Sequence, residues 1–329
     1  MRNLNRILVP TDFSEGSQAA YEYAKKVTGV CGGVVNLMHI VPTLQYFSNS
    51  MNVVGYPPSL DQPKPGLEEE VLARLEEALL ENFGKDHMGE AIVKLGRKTY
   101  MEIAREAEKK EYDLVIMGKT GSHGAFILGN VTEKVVRHSP KPVLSVNKKP
   151  QPDGLKRFMV PTDYSQYSLQ SLHEAILLGS LTNGEIILFH VLELFGSPSE
   201  NEPMIPDQDV ENSVRMKLLN RVDTYLQARG EWNMQLVRDI NGRTGHFLIR
   251  GEEEEEEAVP FSVEIQRGVG AHHAITDFAA EHADLIIINT HGRGGFSRMF
   301  IGSTTERVIQ QSGKPVLSIK AEEEQQIVE

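Results

Sequence analysis

The residues best suited to ligand chemistry lie in one glycine-rich stretch, residues 289–306, which reads Asn-Thr-His-Gly-Arg-Gly-Gly-Phe-Ser-Arg-Met-Phe-Ile-Gly-Ser-Thr-Thr-Glu. The stretch follows an apolar run typical of a buried strand and precedes a helical pattern. Its glycines allow positive φ and close approach of a ligand to the backbone. Gly302 and Ser303 stand where the helix begins, and a helix N-terminus favours phosphate. The stretch therefore predicts a phosphate site, with Arg293 and Arg298 as charged contacts.

Two interpretations of this stretch need no ligand. Ser303-x-x-Glu306 is also a capping box, and Gly292 also fits an ordinary turn. The stretch is not a Walker A loop, because no Gly-Lys-Ser/Thr follows at the required spacing. It is not a dinucleotide fingerprint, because the first strand is followed by Pro-Thr-Asp rather than by a glycine-rich turn. The stretch by itself leaves a phosphate site and a purely structural turn open.

The chain contains an internal repeat. Residues 7–14 read Ile-Leu-Val-Pro-Thr-Asp-Phe-Ser and residues 158–165 read Phe-Met-Val-Pro-Thr-Asp-Tyr-Ser. The offset between matching positions is 151 at first, then 171 and finally 173, so the second copy has 20 extra residues and then two more inside the glycine-rich stretch. The pairs that define the offsets are Pro10 and Pro161, Asp12 and Asp163, His39 and His190, Asp113 and Asp284, and Pro142 and Pro315.

Each copy alternates short apolar runs with helical patterns, which predicts right-handed βαβ crossovers and a parallel sheet buried on both faces. The expected fold class is α/β, with two tandem doubly wound, Rossmann-like domains at 1–147 and 157–322 and a linker at 148–156. Strands are expected near 6–10, 34–41, 90–95, 113–118 and 142–146, and near 157–161, 185–192, 262–267, 284–289 and 315–319. Helices of the first copy are expected near 15–29, 67–83, 99–110 and 131–138.

Two segments have irregular patterns. Residues 43–66 are rich in Pro, Gly, Ser and Asn, which predicts a mobile loop. The second copy has an acidic insertion near 234–260 that includes six consecutive glutamates at 252–257. Like charges repel, so these glutamates are expected in a solvated loop, with a cation or partner site as the alternative. Asn241-Gly242 indicates a turn, so part of the insertion is expected to be a small hairpin.

The pattern of the second copy resembles that of ATP-binding universal stress proteins, which carry Gly-x2-Gly-x9-Gly-Ser/Thr after the fourth strand. Here the pattern reads Asn289-x2-Gly292-x9-Gly302-Ser303 and departs only at Asn289, a residue type that tolerates positive φ. The resemblance implies that Asp163 contacts the nucleoside and that the backbone at Val191 reads the adenine. The nucleotide-binding residues it implies are Pro161, Thr162, Asp163, Val191, Asn289, His291, Gly292, Arg293, Gly302, Ser303 and Thr304.

The first copy matches less completely. Only seven residues separate Gly121 from Gly129, and Asn130 replaces the Ser/Thr, although it can still cap a helix with Glu133 in the capping-box position. This loop either holds a shorter or differently posed ligand or holds none. The corresponding binding residues are Pro10, Thr11, Asp12, Val41, Gly118, Gly121, Gly129 and Asn130. Asp12 and Asp163 also fit a structural role at a helix start, where Ser14 and Ser165 compete for the cap.

Neither histidine nor cysteine spacing indicates a metal site or a nucleophile. His272 and His273 are adjacent on a predicted helix and are expected to point in different directions. His39 and His190 lie in strands and are expected to be structural. Cys31 is the single cysteine of the chain and has no histidine at motif spacing.

Composition narrows the functional classes. A net charge of −12 argues against broad contact with a nucleic-acid backbone. No apolar run reaches the ~18 residues of a membrane span, and no apolar segment with a cleavage site indicates a secretion signal. A single cysteine fits a reducing compartment, so a cytoplasmic location is expected.

The resemblance implies a stress-response regulatory protein that binds ATP or a related adenine nucleotide, with Mg²⁺ as an optional companion, and acts as a conformational switch. One alternative is a scaffold or a module for another small ligand. A slow ATPase, or a relative of the ATP pyrophosphatases with their adenine nucleotide α-hydrolase-like topology, is a further alternative, but no acid–base or nucleophilic constellation supports efficient catalysis. The expected partners are the other copy in an intramolecular pseudo-dimer through the last strands, a second chain in a homodimer, and an unidentified protein.

Overall fold

The computed structural model describes residues 4–42, 66–119, 130–151, 154–193, 208–251, 255–291 and 301–320. The chain divides into two compact units, unit 1 (Met1–Pro150) and unit 2 (Gln151–Glu329).

Unit 1 is a parallel sheet with the strand order β3-β2-β1-β4-β5. Its elements in chain order are β1 (Arg6–Pro10), α1 (Glu15–Cys31), β2 (Val34–Pro42), α2 (Leu67–His87), β3 (Met88–Gly96), α3 (Thr99–Lys109), β4 (Leu114–Gly118), α4 (Asn130–His138) and β5 (Val143–Val146).

Unit 2 repeats this sheet and extends it, in the order β12-β11-β6-β7-β10-β9-β8. Its strands and α-helices are β6 (Arg157–Pro161), α5 (Gln166–Thr182), β7 (Glu185–Glu193), α6 (Gln208–Ala228), β8 (Met234–Arg238), β9 (Thr244–Arg250), β10 (Glu256–Gly268), α7 (Ala271–His282), β11 (Leu285–Asn289), α8 (Ser303–Gln311) and β12 (Val316–Ile319). A short 3-10 helix, Gly230–Trp232, precedes β8.

The predicted α/β fold with two tandem parallel-sheet units is confirmed. The central strands are short runs of branched apolar residues, and Ile7, Leu8 and Val9 of β1 are fully buried because helices cover both sheet faces. The first helix of each unit begins the same way. The side chains of Ser14 and Ser165 accept hydrogen bonds from the backbone N–H groups of the third residues after them.

The insertion of unit 2 is part of the sheet. β8 and β9 form the predicted hairpin, closed by hydrogen bonds to the Asp239 side chain and by Gly242 at φ 63°. β10 pairs antiparallel with β9 and then parallel with β7. The loop prediction is wrong for Glu256 and Glu257, which open β10, because pairing with β9 places each at a sheet position whose side chain points to solvent.

Other bounds differ modestly from expectation. α2 continues past residue 83 to His87 because the helix resumes after a break at Gly84 (φ 61°). β3 is longer than the predicted 90–95, and β10 is longer than the predicted 262–267. The predicted mobile loop falls on 43–65, outside the described residues, apart from Gly66, which caps α2.

One aspartate in each unit joins the first strand to the start of the fourth. In unit 1, Asp113 accepts backbone hydrogen bonds from Asn5 and Arg6 at 2.8 and 2.9 Å. In unit 2, Asp284 accepts backbone bonds from Lys156 and Arg157 and binds the Arg157 guanidinium at 3.0 Å. Burial opposes ionisation of Asp284, but the bonds from Arg157 and Lys156 outweigh it and lower the pKa of this carboxyl.

We expect Asp284→Asn to lower the free energy of unfolding by about 1–3 kcal/mol near neutral pH, because a charged acceptor of several hydrogen bonds is lost. A carboxyl with a lowered folded-state pKa stabilises above its unfolded value and loses this effect as pH falls through the folded value. The difference in unfolding free energy between wild type and the variant should therefore become smaller below about pH 4. Urea unfolding at several pH values measures it.

The matched control is Asp277→Asn, the same change at an exposed position on α7. It should stay within about 0.5 kcal/mol of wild type. Equal losses from the two variants, or a gap that does not depend on pH, would show that the Asp284 bonds contribute nothing.

Candidate functional site

Several of the predicted binding residues that the structure describes, those of the two Pro-Thr-Asp turns with Gly118, Asn289 and His291, lie where parallel strands end at their carboxyl side, the usual ligand edge of such sheets. In each unit the first strand ends in Pro-Thr-Asp. Thr11 donates its N–H to the Met38 carbonyl at 2.8 Å, and Thr162 donates to Phe189 at the same distance. Both threonines are 6% exposed. The chain therefore leaves the sheet at equivalent, fixed points in the two units.

The Asp12 carboxylate organises the turn after β1. Its Oδ1 accepts hydrogen bonds from the Ser14 N–H at 3.0 Å and from the Ser14 and Ser17 hydroxyls. Burial opposes its ionisation, but these bonds outweigh burial and lower its pKa. Asp12 is therefore an acceptor near neutral pH, and its Oδ1 is already used within the turn.

Asp163 occupies the same place in unit 2. Its Oδ1 accepts hydrogen bonds from the N–H of Ser165 at 3.0 Å and from the Ser165 hydroxyl at 2.5 Å. Thr162 and Ser168 share a hydrogen bond of 2.9 Å beside it. Ser165, and not Asp163, caps α5. Each aspartate therefore has the expected structural role at a helix start, where it binds the serine that caps the helix. This bond holds the carboxylate at the carboxyl end of the sheet.

An aromatic residue follows each aspartate in a left-handed conformation, with φ 60° at Phe13 and 68° at Tyr164. Its ring stacks on the strand histidine, with centroids 5.1 Å apart for Phe13 and His39 and 4.2 Å apart for Tyr164 and His190. This pair was not among the predicted site residues. Its signal was the repeat, which keeps an aromatic residue and a histidine at the same offset.

The histidines tie the second strand to the first turn. His39 Nδ1 donates to the Thr11 carbonyl and His190 Nδ1 to the Thr162 carbonyl, both at 2.8 Å. The structural role predicted for them is confirmed. The bond satisfies a carbonyl that the sheet ladder no longer reaches.

Val41 and Val191, the predicted adenine readers, are not equivalent positions. Val41 is the second residue after His39, whereas Val191 is the first after His190. Both lie inside strands, where Val41 pairs with Leu95 and Val191 with Gln266. Side chains alternate along a strand, so the two valines face opposite sides relative to their histidines.

The fourth strand of unit 1 ends at Gly118 against α1. A Cβ there would lie 2.4 Å from the Gly16 carbonyl oxygen, so glycine is required by close packing. The Thr132 hydroxyl donates to the Gly118 carbonyl at 2.8 Å and anchors α4. The next residue, Lys119, is 3% exposed, and burial lowers the pKa of its ammonium to about 7. Lys119 was not predicted as a site residue.

The fourth strand of unit 2 ends at Asn289, which is buried. Its side chain donates to Gln170 Oε1 at 3.1 Å and accepts the His291 N–H at 2.9 Å. Asn289 does not have positive φ, so the reason given for tolerating asparagine is wrong. Asparagine fits because Gln170 of α5 binds it. The Thr305 hydroxyl donates to the Asn289 carbonyl at 2.8 Å, as Thr132 does to Gly118.

The start of α8 is held against β11. Gly302 donates to the Thr290 carbonyl at 2.8 Å and is the N-cap, with no side-chain hydrogen bond at the cap. The capping-box alternative is therefore wrong, because Ser303 is the first helical residue rather than the cap. Thr304 follows it in the first turn. A Cβ on Gly302 would meet only ordinary contacts of 3.6 and 3.9 Å.

Four predicted residues, Gly121, Gly129, Gly292 and Arg293, lie outside the described residues. Asn130 is the first residue of α4. The Glu133 carboxylate accepts a hydrogen bond from Arg137 at 2.9 Å. His291 lies beside the β11 end, where its Nδ1 and the Thr290 hydroxyl share a hydrogen bond of 3.0 Å.

His272 and His273 do not point in different directions. Their rings lie together at the start of α7, with centroids 4.0 Å apart, so that expectation is wrong. Adjacent helical side chains meet here because both turn toward the same end of the helix. Among the described residues, no cluster of three or more His, Cys, Asp or Glu side chains could hold a metal ion.

Comparisons with known proteins agree with this architecture. The model of the Universal stress protein family matches residues 3–147 and 154–320. A universal stress protein of Methanocaldococcus jannaschii is 31% identical over 155 residues, covering 44% of this chain and 95% of the relative. One of Synechocystis is 23% identical over 335 residues, covering 96% of this chain and 100% of the relative.

A solved universal stress protein structure from Archaeoglobus fulgidus superposes with a TM-score of 0.60 at 21% identity, covering 97% of each chain. It supports the fold over the whole length. Among the described residues, no helix combines the length and apolar character needed to cross a membrane. Because the family model matches twice and covers nearly the whole chain, the protein belongs to the universal stress protein family, as a member with two tandem domains.

Proposed function

We propose that unit 2 binds ATP or a related adenine nucleotide and that binding regulates the protein by changing its conformation. The observation that carries the proposal is the start of α8. Its N-cap, Gly302, brings no side chain to the exposed N–H groups of the first turn, and the helix is fixed by Thr305 and Gly302 to the end of β11. Such a helix start favours phosphate.

The neighbouring strand ends suit the rest of a nucleotide. Asp163 is held at the edge by Ser165, where a carboxylate can accept a hydrogen bond from a ribose hydroxyl. Pro161 ends β6 and Thr162 follows it, and the strand β7 that carries Val191 continues beyond the end of β6. An adenine edge could therefore be read by β7 backbone groups that have no partner on β6. Mg²⁺, if present, would bind with the phosphates.

A weaker site in unit 1 fits the sequence difference. Its loop is two residues shorter than that of unit 2, and α4 begins with Asn130 where unit 2 has Ser303. We therefore place the stronger triphosphate site in unit 2. A scaffold role, or another small ligand, is the alternative for both units.

Gly302→Val should weaken ATP binding by at least about tenfold, which corresponds to roughly 1.4 kcal/mol. The new side chain would stand at the helix start where phosphate approaches. The protein around Gly302 has room for a Cβ, so the melting temperature should change little. Calorimetric titration with ATP measures the affinity.

Two valine substitutions serve as controls for Gly302→Val. Gly313→Val makes the same change after α8 in open space and should leave affinity unaltered. Gly129→Val, in the shorter loop, should reduce binding far less than Gly302→Val. Equal losses at Gly302 and Gly129, or nucleotide bound only by unit 1, would contradict the ranking of the two sites.

The geometry favours a switch over turnover. The described side chains at the end of β11 are engaged in structural bonds, including His291 with Thr290 and Asn289 with Gln170. A ligand that binds only the ordered state stabilises it by about 2.7 kcal/mol at a hundredfold excess over Kd. That free energy is enough to shift the populations of two conformations and so to change the surface that a partner contacts.

ATP and a non-hydrolysable analogue should raise the melting temperature equally, by roughly 5 to 10 °C at that excess. Both should also protect residues 289–306 from hydrogen exchange, while ATP turnover stays far below the ~10 s⁻¹ median of enzymes. A turnover near that median, abolished by His291→Ala, would identify an ATPase instead.

We also propose that the two units pair through their last strands as an intramolecular pseudo-dimer. β5 and β12 are four-residue apolar strands whose residues are all buried, and a bare edge of this kind would template aggregation. A second chain in a homodimer and an unidentified protein are further proposed partners.

Hydrogen exchange tests the pairing. If the last strands are paired on both sides, the amides of 143–146 and 316–319 should be as protected as those of the central strands β1 and β6. The outer strands β3 and β8 provide the internal reference for an edge. Fast exchange of alternate amides in β5 and β12, at the rate of those reference strands, would rule the pairing out, and sedimentation velocity would report a homodimer.

A further inference from the structure

Asn289 ends β11 where unit 1 has Gly118, and its side chain joins two separate segments of the chain. Its Nδ2 donates to Gln170 Oε1 on α5 at 3.1 Å, and its Oδ1 accepts the His291 N–H at 2.9 Å. Asn289 is 2% exposed, and a buried amide requires such partners. The amide therefore bridges α5 and the residues with which the stretch 289–306 leaves the sheet.

The start of α5 also holds Asp163. Ser165 caps this helix and binds the Asp163 carboxylate, and Gln170 follows on the next turn. One helix thus contacts both the carboxylate that the proposed function assigns to the ribose and the amide at the end of β11.

Unit 1 fills the same place by direct packing. The repeat offset of 151 puts Ala19 where unit 2 has Gln170, and the offset of 171 puts Gly118 where it has Asn289. A Cβ at Gly118 would lie 2.4 Å from the Gly16 carbonyl oxygen, so α1 and β4 meet through their backbones. Unit 2 replaces this contact between backbones by a pair of amide side chains, and the two sequence differences therefore belong together.

The residues that follow Asn289 are fixed on their other side by β12 and α8. Thr290 donates its N–H to the Ile319 carbonyl at 2.8 Å, and its own carbonyl accepts the Gly302 N–H at the same distance. The His291 imidazole and the Thr290 hydroxyl share a hydrogen bond of 3.0 Å. The bond from the His291 N–H to Asn289 adds a link from this turn to α5.

The orientation of the Asn289 amide depends on Gln170. The backbone N–H of His291 can only donate, so Asn289 must present Oδ1 to it and Nδ2 to α5. The terminal torsion of asparagine is broad, so rotamer preference alone does not hold this orientation. Without an acceptor on α5 the buried Nδ2 would lack its partner, and the amide would gain by turning away from His291.

We propose that Gln170 is a positioning residue of the site in unit 2, which holds Asn289 so that the chain leaves β11 in the conformation that receives the phosphates. The inference rests on the proposed function, because the phosphates are those of the nucleotide bound there. In this role Gln170 acts through Asn289 and His291 and not by touching the ligand. Groups that are already ordered cost less to bind, so the affinity for phosphates depends on this pair of amides.

The nucleoside half of the site is held separately. Asp163 is fixed by the N–H and the hydroxyl of Ser165, and neither bond involves Gln170. A positioning role through Asn289 should therefore change the affinity for the phosphates and leave the affinity for the nucleoside as it is. A general loss of stability in α5 would lower both.

Gln170→Met keeps the length of the side chain and removes the oxygen that accepts the bond from Asn289. It should weaken ATP binding about fivefold to tenfold and adenosine binding by less than about twofold, in calorimetric titration of the full chain. Gln166→Met, the same change at the exposed first residue of α5, should leave both affinities unaltered. Equal weakening of ATP and adenosine binding, or equal effects of the two variants, overturns the positioning role.

A double-mutant cycle tests the route through Asn289. Asn289→Ala removes the amide that Gln170 binds and should itself weaken ATP binding. Gln170→Met in that background should add less than about a twofold loss. A further loss as large as that of the single variant would show that Gln170 acts by another route, and it would overturn the proposal.

Hydrogen exchange of the His291 amide, measured by NMR without nucleotide, separates this inference from the proposed function. Gln170→Met should speed exchange about tenfold, as expected for the loss of one hydrogen bond, and Gln166→Met should not. Unchanged exchange in Gln170→Met overturns the positioning role even if ATP binds. If the wild-type chain binds no ATP while exchange responds as expected, the proposed function fails and the role of Gln170 in phosphate binding fails with it, although the link to His291 stands.

Discussion

In each unit, side chains from other elements satisfy the backbone at the carboxyl ends of the first and fourth strands. When a parallel strand stops before its neighbours, its last carbonyl loses its ladder partner while still buried, and it must be satisfied. His39 and His190 do this for the first strand of each unit, and Thr132 and Thr305 do it for the fourth. These four bonds fix the turns and helix starts, and the rest of the edge is built around them.

The two units share these closing bonds but differ in the residues that surround the strand ends. In unit 1, Gly118 packs directly against α1, whereas in unit 2 the larger Asn289 is bound by Gln170 of α5. Tyr100 and Lys134 stack where unit 2 has a cavity with His272 and Arg307. The two units therefore keep the same four closing bonds while the residues around them differ.

Sequence reasoning succeeded where a local pattern has one physical outcome. Buried parallel strands are short apolar runs, and the internal repeat allowed the strands of one copy to be matched to those of the other. Prediction from the sequence failed where the local structure depends on which residues come into contact. The glutamates at 256 and 257 were expected in a loop, but β9 is available to pair with them. Ser303 was offered as a cap, but Gly302, bonded to Thr290, takes that position.

The sequence by itself determined the family, the duplicated α/β fold and the chain segments that form the ligand edge, because periodicity and motif spacing are local properties of the chain. Only the tertiary structure decided which groups meet there. Phe13 on His39, and Arg307 and Glu193 lining one cavity, depend on where separate elements pack. Burial and the distance between charges exist only after packing, and these two quantities lower the pKa of His272 in the wall of that cavity.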